Sequence, residues 1–134
     1  MLNLEFSVAQ LIRAAAAARE RAYAPYSGFQ VGAALLTRQG HCYTGCNVEN
    51  VSYGLSCCAE RVALFKAVSE GERDFEALAV TCGTEDYCAP CGACRQALAE
   101  FGPETKVIMA NCRGEYRVQT VGQLMPAPFG GKCE

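Results

Sequence analysis

Ala77-Leu78-Ala79-Val80-Thr81-Cys82, then Pro90-Cys91-Gly92-Ala93-Cys94, then Lys106-Val107-Ile108-Met109-Ala110: the order of these three stretches decides the fold class of this chain. The first and third are short apolar runs without polar alternation, which suits strands buried on both faces. Between them, after a loop over 83–90, a helix starts near Cys91, with Pro90 suited to its start and Gly102-Pro103 ending it. Strand, helix and strand in succession are the unit of an α/β sheet.

The flanking sequence extends this pattern. Ser7-Val8-Ala9-Gln10 reads as a capping box, and Val8, Leu11, Ile12, Ala15 and Ala18 follow at helical spacing, predicting a first helix to about Ala22. A turn-forming stretch over 23–28 precedes two strands, 29–37 and 41–48, joined as a hairpin at Arg38-Gln39-Gly40. A second helix carries Arg61, Val62, Leu64, Phe65 and Val68 and stops at Gly71. After 106–110, a fifth strand is expected over 116–119 and a short helix over 120–125. The expected architecture is a mixed β-sheet of about five strands sandwiched by helices, with ligands beyond strand ends where helices begin.

The 134 residues fit one domain, 1–134, long enough to bury a core without disulfide staples. Net charge is -2 and the Lys and Arg residues are scattered, which argues against a nucleic-acid partner. Residues 1–21 lack the order of a signal peptide, and no uncharged apolar run has membrane-spanning length, so a cytoplasmic protein with no membrane partner is expected. The ten cysteines then read as reduced thiols. Cys42, Cys46, Cys82 and Cys112, in or beside strand-like runs, are expected to be small buried hydrophobes.

Two helix starts carry the chemistry: Cys58-Ala59-Glu60 and Pro90-Cys91-Gly92-Ala93-Cys94. Three thiolates hold Zn²⁺ and leave its fourth position open, and a nearby carboxylate that does not bind the metal moves protons. Helical positions three apart share a face, so Cys91 and Cys94 can clamp one ion. Positions two apart do not, so Cys58 and Glu60 serve one site only if the metal lies off the N-terminal end of their helix. That end lowers the cost of a thiolate.

Three thiolates overcompensate Zn²⁺, and Arg61 is a candidate to offset the excess by hydrogen-bonding the sulfurs; its other reading is an exposed helix charge. Cys88-x-x-Cys91 overlaps Cys91-x-x-Cys94, so the pattern alone also fits structural zinc or a redox pair. Cys57, Cys88, Cys91 and Cys94 could even form a closed site with no chemistry, which would leave Glu60 without a purpose. His41, the only histidine, reads as a surface residue.

Ala24-Pro25-Tyr26-Ser27-Gly28-Phe29-Gln30-Val31-Gly32-Ala33-Ala34-Leu35, Gly45-Cys46-Asn47-Val48-Glu49-Asn50, Cys58-Ala59-Glu60-Arg61 and Pro90-Cys91-Gly92-Ala93-Cys94-Arg95-Gln96 occur in that order. In this set the chain resembles the small homotetrameric cytidine deaminases. The resemblance implies one Zn²⁺ per chain on Cys58, Cys91 and Cys94, with Glu60 as proton shuttle. It implies that Asn47 and Glu49 bind the ribose, that Phe29 packs against the nucleoside, and that Ala59 lies beside it. Phe129 would reach a neighbouring subunit's site. From the residues alone, Phe29 could equally be core, and Asn47-Val48-Glu49-Asn50 a plain turn.

The implied reaction is hydrolysis of cytidine or deoxycytidine to the uridine product and ammonia. Glu60 would take the attacking water's proton, pass it to ring N3, and help protonate the departing amine. A blasticidin S-type antibiotic is a rival substrate, disfavoured because Asn47 and Glu49 suit a sugar. Polynucleotide editing is disfavoured by the acidic balance. A partner-binding zinc module would need a fourth protein ligand.

Overall fold

The structure, a computed structural model, describes residues 7–130. Helix α1 (Val8–Arg19) begins at Ser7, whose hydroxyl accepts from the Gln10 N–H while the Gln10 side chain accepts from the Ser7 N–H. Its end at Arg19, short of the expected Ala22, follows from the next segment: the Tyr23 N–H bonds the Asn47 carbonyl in a bridge that draws the chain away. Strands β1 (Gly32–Thr37) and β2 (Cys42–Cys46) form the expected antiparallel hairpin. Strand β1 starts at Gly32, not Phe29, because the Asn47 side chain takes the Val31 N–H and the Phe29 carbonyl out of the ladder.

A 3₁₀ turn over Tyr53–Leu55 leads into α2 (Ala59–Ser69), then β3 (Phe75–Thr81), α3 (Gly92–Ala99), β4 (Lys106–Ala110), β5 (Tyr116–Thr120) and α4 (Val121–Leu124). Pro90 does not sit in the first turn of α3; it precedes the N-cap residue, Cys91. The sheet order is β2-β1-β3-β4-β5, with β3 and β4 parallel and every other neighbouring pair antiparallel. This is the mixed five-stranded sheet that the sequence implies.

Alternate residues of the central strands enter two separate cores. Ala33, Leu35, Leu78, Val80, Val107 and Met109 pack with α2 and α3, whereas Ala34, Leu36, Ala77, Ala79, Ile108 and Ala110 pack with α1. Two glycines set how closely the helices approach. A Cβ at Gly32 would lie 1.9 Å from the Ala15 carbonyl of α1, and one at Gly45 would lie 2.6 Å from the Ala63 nitrogen of α2. The second contact seats the helix that begins at Cys58.

The cysteines depart from expectation in part. Cys82 is buried, but Cys42 and Cys46 are half-buried because β2 is an edge strand, and Cys112 is exposed in the turn after β4. His41 is exposed and lies 2.8 Å from Glu72. No helix among the described residues is long and apolar enough to cross a membrane.

Candidate active site

Cys58 and Cys91 are the N-cap residues of α2 and α3, both with extended backbone. N-caps ordinarily turn their side chain back to a free helical N–H. Neither cysteine does so, and their sulfurs instead approach each other at 3.7 Å. Cys94, one turn into α3 and fully buried, brings its sulfur within 3.5 Å of Cys91. All three sulfurs lie within 4.8 Å of one another, the one metal-binding group of this kind among the described residues. A tetrahedral zinc with Zn–S bonds of about 2.3 Å needs sulfurs about 3.8 Å apart. The trio fits zinc in spacing and in donor chemistry.

Electrostatics at the trio favour at least one thiolate. The Cys94 thiol hydrogen-bonded to Cys58, assisted by Arg61 and Cys91, holds the Cys58 thiol below its ordinary value against the opposing effect of burial. Cys94 is pushed the other way, by that same hydrogen bond and by burial. The Arg61 Nη2 lies 3.5 Å from the Cys58 sulfur, which holds the guanidinium charged. Arg61 is therefore not a solvated helix charge.

Glu60, in the first turn of α2, is only 4 % exposed. Burial pushes its carboxyl up to about 7, with the nearby Cys58 charge adding to the shift and Arg61 opposing it. A group poised there both takes and gives protons at neutral pH. Glu60 and Cys58 line a cavity of about 210 Å³ together with Phe29, Asn47, Ala59 and Cys88.

The remaining candidates distribute around this cavity. Phe29 is not core: its ring is 48 % exposed at the wall. Ala59 is fully buried in the cavity floor. The Asn47 side chain is partly committed, accepting from the Val31 N–H and donating to the Phe29 carbonyl, both at 2.8 Å. Glu49 lines a neighbouring cavity with Tyr26, Ser27, Tyr53 and Ser56. Its carboxylate accepts from the N–H groups of Tyr26 at 3.1 Å and Ser27 at 3.2 Å, and from the Ser27 hydroxyl, which holds its pKa below the usual carboxylate value.

Phe129 stands apart from its own chain's cavity, 90 % exposed. Its N–H and C=O are both bonded by the Gln96 side chain of α3. Cys57 and Cys88 lie outside the sulfur trio: Cys57 exchanges backbone hydrogen bonds with Val48, and Cys88 is raised by burial and by its neighbour Cys82.

Sequence reading did not single out Ser27, which anchors Glu49, or Arg95, whose guanidinium bonds the Pro90 and Leu124 carbonyls and braces the loop before Cys91. Ser27 carried a signal in its turn-forming context. Arg95 stands in the stretch over 90–96 that carries the resemblance, but nothing in it marks this role, since its partners are main-chain atoms that no residue type marks.

A buried carboxyl near three sulfurs whose spacing fits zinc, on a mixed α/β sheet, is the arrangement of a metal-dependent hydrolase. Residues 7–110 match the family model described as the cytidine and deoxycytidylate deaminase zinc-binding region. The cytidine deaminase of Halalkalibacterium halodurans is 55 % identical over 89 % of this chain and 91 % of its own. That of Sporosarcina psychrophila is 51 % identical over 91 % and 90 %. The crystal structure of cytidine deaminase from Burkholderia pseudomallei, 53 % identical, superposes with a TM-score of 0.89 over 92 % of this chain and all of its own. The chain belongs to the cytidine deaminase family.

Proposed function

We propose that the chain hydrolyses cytidine and deoxycytidine to uridine and deoxyuridine with release of ammonia, as one domain over 1–134. The observation that carries the reading is Glu60, buried and lining the same cavity of about 210 Å³ as Cys58 and Cys91 of the sulfur trio. Cys58, Cys91 and Cys94 would hold the zinc, which would supply Lewis acidity that makes water nucleophilic at neutral pH. Glu60 accepts the proton of the attacking water and delivers it to ring N3, which leaves C4 electrophilic. After addition at C4, the same carboxylate helps move a proton to the exocyclic amine, which departs as ammonia. Arg61 holds charge against the Cys58 sulfur. Phe29 and Ala59 line the wall and floor where the base lies.

Asn47 and Glu49 bind the sugar on the outer side. No cationic side chain lines either cavity among the described residues, and Glu49 is ionised, so a 5′-phosphate is disfavoured. The molecule acts as a homotetramer in the cytoplasm. Val51, Tyr53 and Leu55, each more than 70 % exposed, support burial of the cavity rim by other copies, and Phe129 is free to enter a neighbour's site.

The decisive assay is the fall in ultraviolet absorbance on incubating the purified protein with cytidine, deoxycytidine, cytosine, CMP and adenosine. Turnover of the two cytosine nucleosides alone is expected. Turnover of cytosine or CMP at the same rate would reject the nucleoside reading.

A further inference from the structure

We propose that Ser27 is a positioning residue, whose single hydroxyl couples the sugar-contacting Glu49 to the base-contacting Phe29. The inference rests on the roles given to those two residues above. The Ser27 Oγ donates to the Glu49 Oε2 and accepts from the Phe29 N–H at 3.0 Å. The Ser27 N–H adds a second bond to Glu49, on Oε1, at 3.2 Å. Phe29 is gripped from the other side by Asn47, which donates to its carbonyl at 2.8 Å. The Phe29 peptide groups are thus fixed between one hydroxyl and one amide while the ring projects at the cavity wall.

Ser27 is exposed, so these bonds are not a by-product of core packing. A hydroxyl has one proton to give, and here it goes to Glu49. That leaves Glu49 charged and aimed, since a carboxylate that loses a charge-assisted donor regains rotational freedom about its side-chain bonds. Gly28, with φ +72° and its N–H bonded to the Ala24 carbonyl at 2.9 Å, turns the chain so that Ser27 and Phe29 can share the hydroxyl. The consequence is specific: Ser27 acts on recognition of the sugar, through Glu49, more than on the fold or the metal.

The test uses kcat/KM on cytidine and on 2′,3′-dideoxycytidine, which offers no ring hydroxyl to Glu49. Ser27→Ala should lower the cytidine value about 10- to 100-fold, mainly through KM, as expected for loss of a charged hydrogen bond. The loss on dideoxycytidine should be several-fold smaller, and zinc per chain should not change. Ser27→Thr, which retains the hydroxyl, should recover most of the activity, and Ser27→Cys, similar in shape but a weak donor, should not. In a Glu49→Ala background, Ser27→Ala should cost less than about threefold. Equal losses on both substrates, or an undiminished loss in the Glu49→Ala background, would overturn the coupling and leave Ser27 a structural residue. Wild-type protein that fails to deaminate cytidine at all would instead remove the functional reading on which the coupling stands.

Discussion

The Arg61 Nη2 lies 3.5 Å from the Cys58 sulfur, three residues back along the same helical face, so the guanidinium caps a thiol that its own helix presents. Three thiolates give a zinc centre a net negative charge, and a fixed cation beside one sulfur reduces it. Partners that orient metal ligands typically contribute 10- to 100-fold in metal affinity or activity. Arg61→Ala should therefore weaken zinc binding by about that factor, and Arg61→Lys should recover only part, because a point charge does not reproduce the planar donor. Competition with a chromogenic chelator measures it; an unchanged affinity for Arg61→Ala would show the contact to be incidental.

Glu60→Gln should retain the fold and one zinc per chain while losing nearly all turnover. The amide keeps the carboxylate's shape but takes no proton, and general acid–base catalysis contributes about 10²–10⁴-fold, more where one group serves several transfers. Single-turnover rates on cytidine, with zinc content measured in parallel, decide it. A variant that retains more than about a tenth of wild-type turnover would place the proton chemistry elsewhere.

Much of this site was legible because helix starts, turns and metal spacing are local properties. Strand β4 was read with its ends unchanged, and Cys58 and Cys91 fell at helix starts because the flanking patterns are sharp. The errors came where contacts between segments distant in sequence replace local pairing. Asn47 truncates β1 by bonding Phe29 and Val31, and the Tyr23 bridge to Val48 ends α1 early. Likewise the burial of Glu60 depends on the cavity between two helices that are far apart in sequence, which no window around Glu60 contains. Cys112, apolar by composition, is exposed because its turn lies at the sheet margin.

The overlap of two Cys-x-x-Cys patterns resolves into a test of ligand register. Cys58→Ala, Cys91→Ala and Cys94→Ala should each lose zinc, whereas Cys57→Ala and Cys88→Ala should keep one zinc per chain. The sulfurs of the first three lie within 4.8 Å of one another, and neither Cys57 nor Cys88 belongs to that group. Elemental analysis after dialysis gives the answer. Zinc lost from Cys88→Ala but retained in Cys94→Ala would shift the register.

Glu72 gives a pH dependence remote from the metal. Its carboxylate accepts from Tyr43 at 2.9 Å and pairs with His41 at 2.8 Å, and these contacts, His41 first, lower its pKa from the ordinary 4.5. A lowered carboxyl pKa means that the folded state releases the proton more readily than the unfolded one. The stabilisation is therefore present above the unfolded value of 4.5 and disappears as pH falls through the lower folded value. Melting temperatures from pH 7 to pH 3 should show Glu72→Gln below wild type near neutrality, with the two curves converging in acid. Parallel curves across that range would mean that the contacts do not stabilise the charged form.

Sugar recognition follows from a count of hydrogen-bonding capacity around Glu49 and Asn47. A carboxylate has about four acceptor positions, and Tyr26 and Ser27 already fill three of those on Glu49. The Asn47 amide has given one proton to Phe29 and accepted one from Val31, which leaves one donor and one acceptor position. What remains can satisfy two hydroxyls, one donating to Glu49 and the other to the Asn47 side-chain oxygen, with one Asn47 N–H left to donate to either. Deoxycytidine leaves one of these positions unmet, and since a single neutral hydrogen bond contributes little, its kcat/KM should be lower than that of cytidine by no more than about tenfold. Removing the remaining hydroxyl in 2′,3′-dideoxycytidine should lower kcat/KM further, by about 10- to 100-fold, since the Glu49 carboxylate then loses the donor that the substrate brings. Glu49→Ala should lose a similar amount on cytidine, little on dideoxycytidine, and no zinc. Steady-state kinetics on the three nucleosides with both proteins are the measurement. A preference for cytidine over deoxycytidine above about 100-fold would show that the 2′-hydroxyl is held by a further group contributed from elsewhere in the assembly.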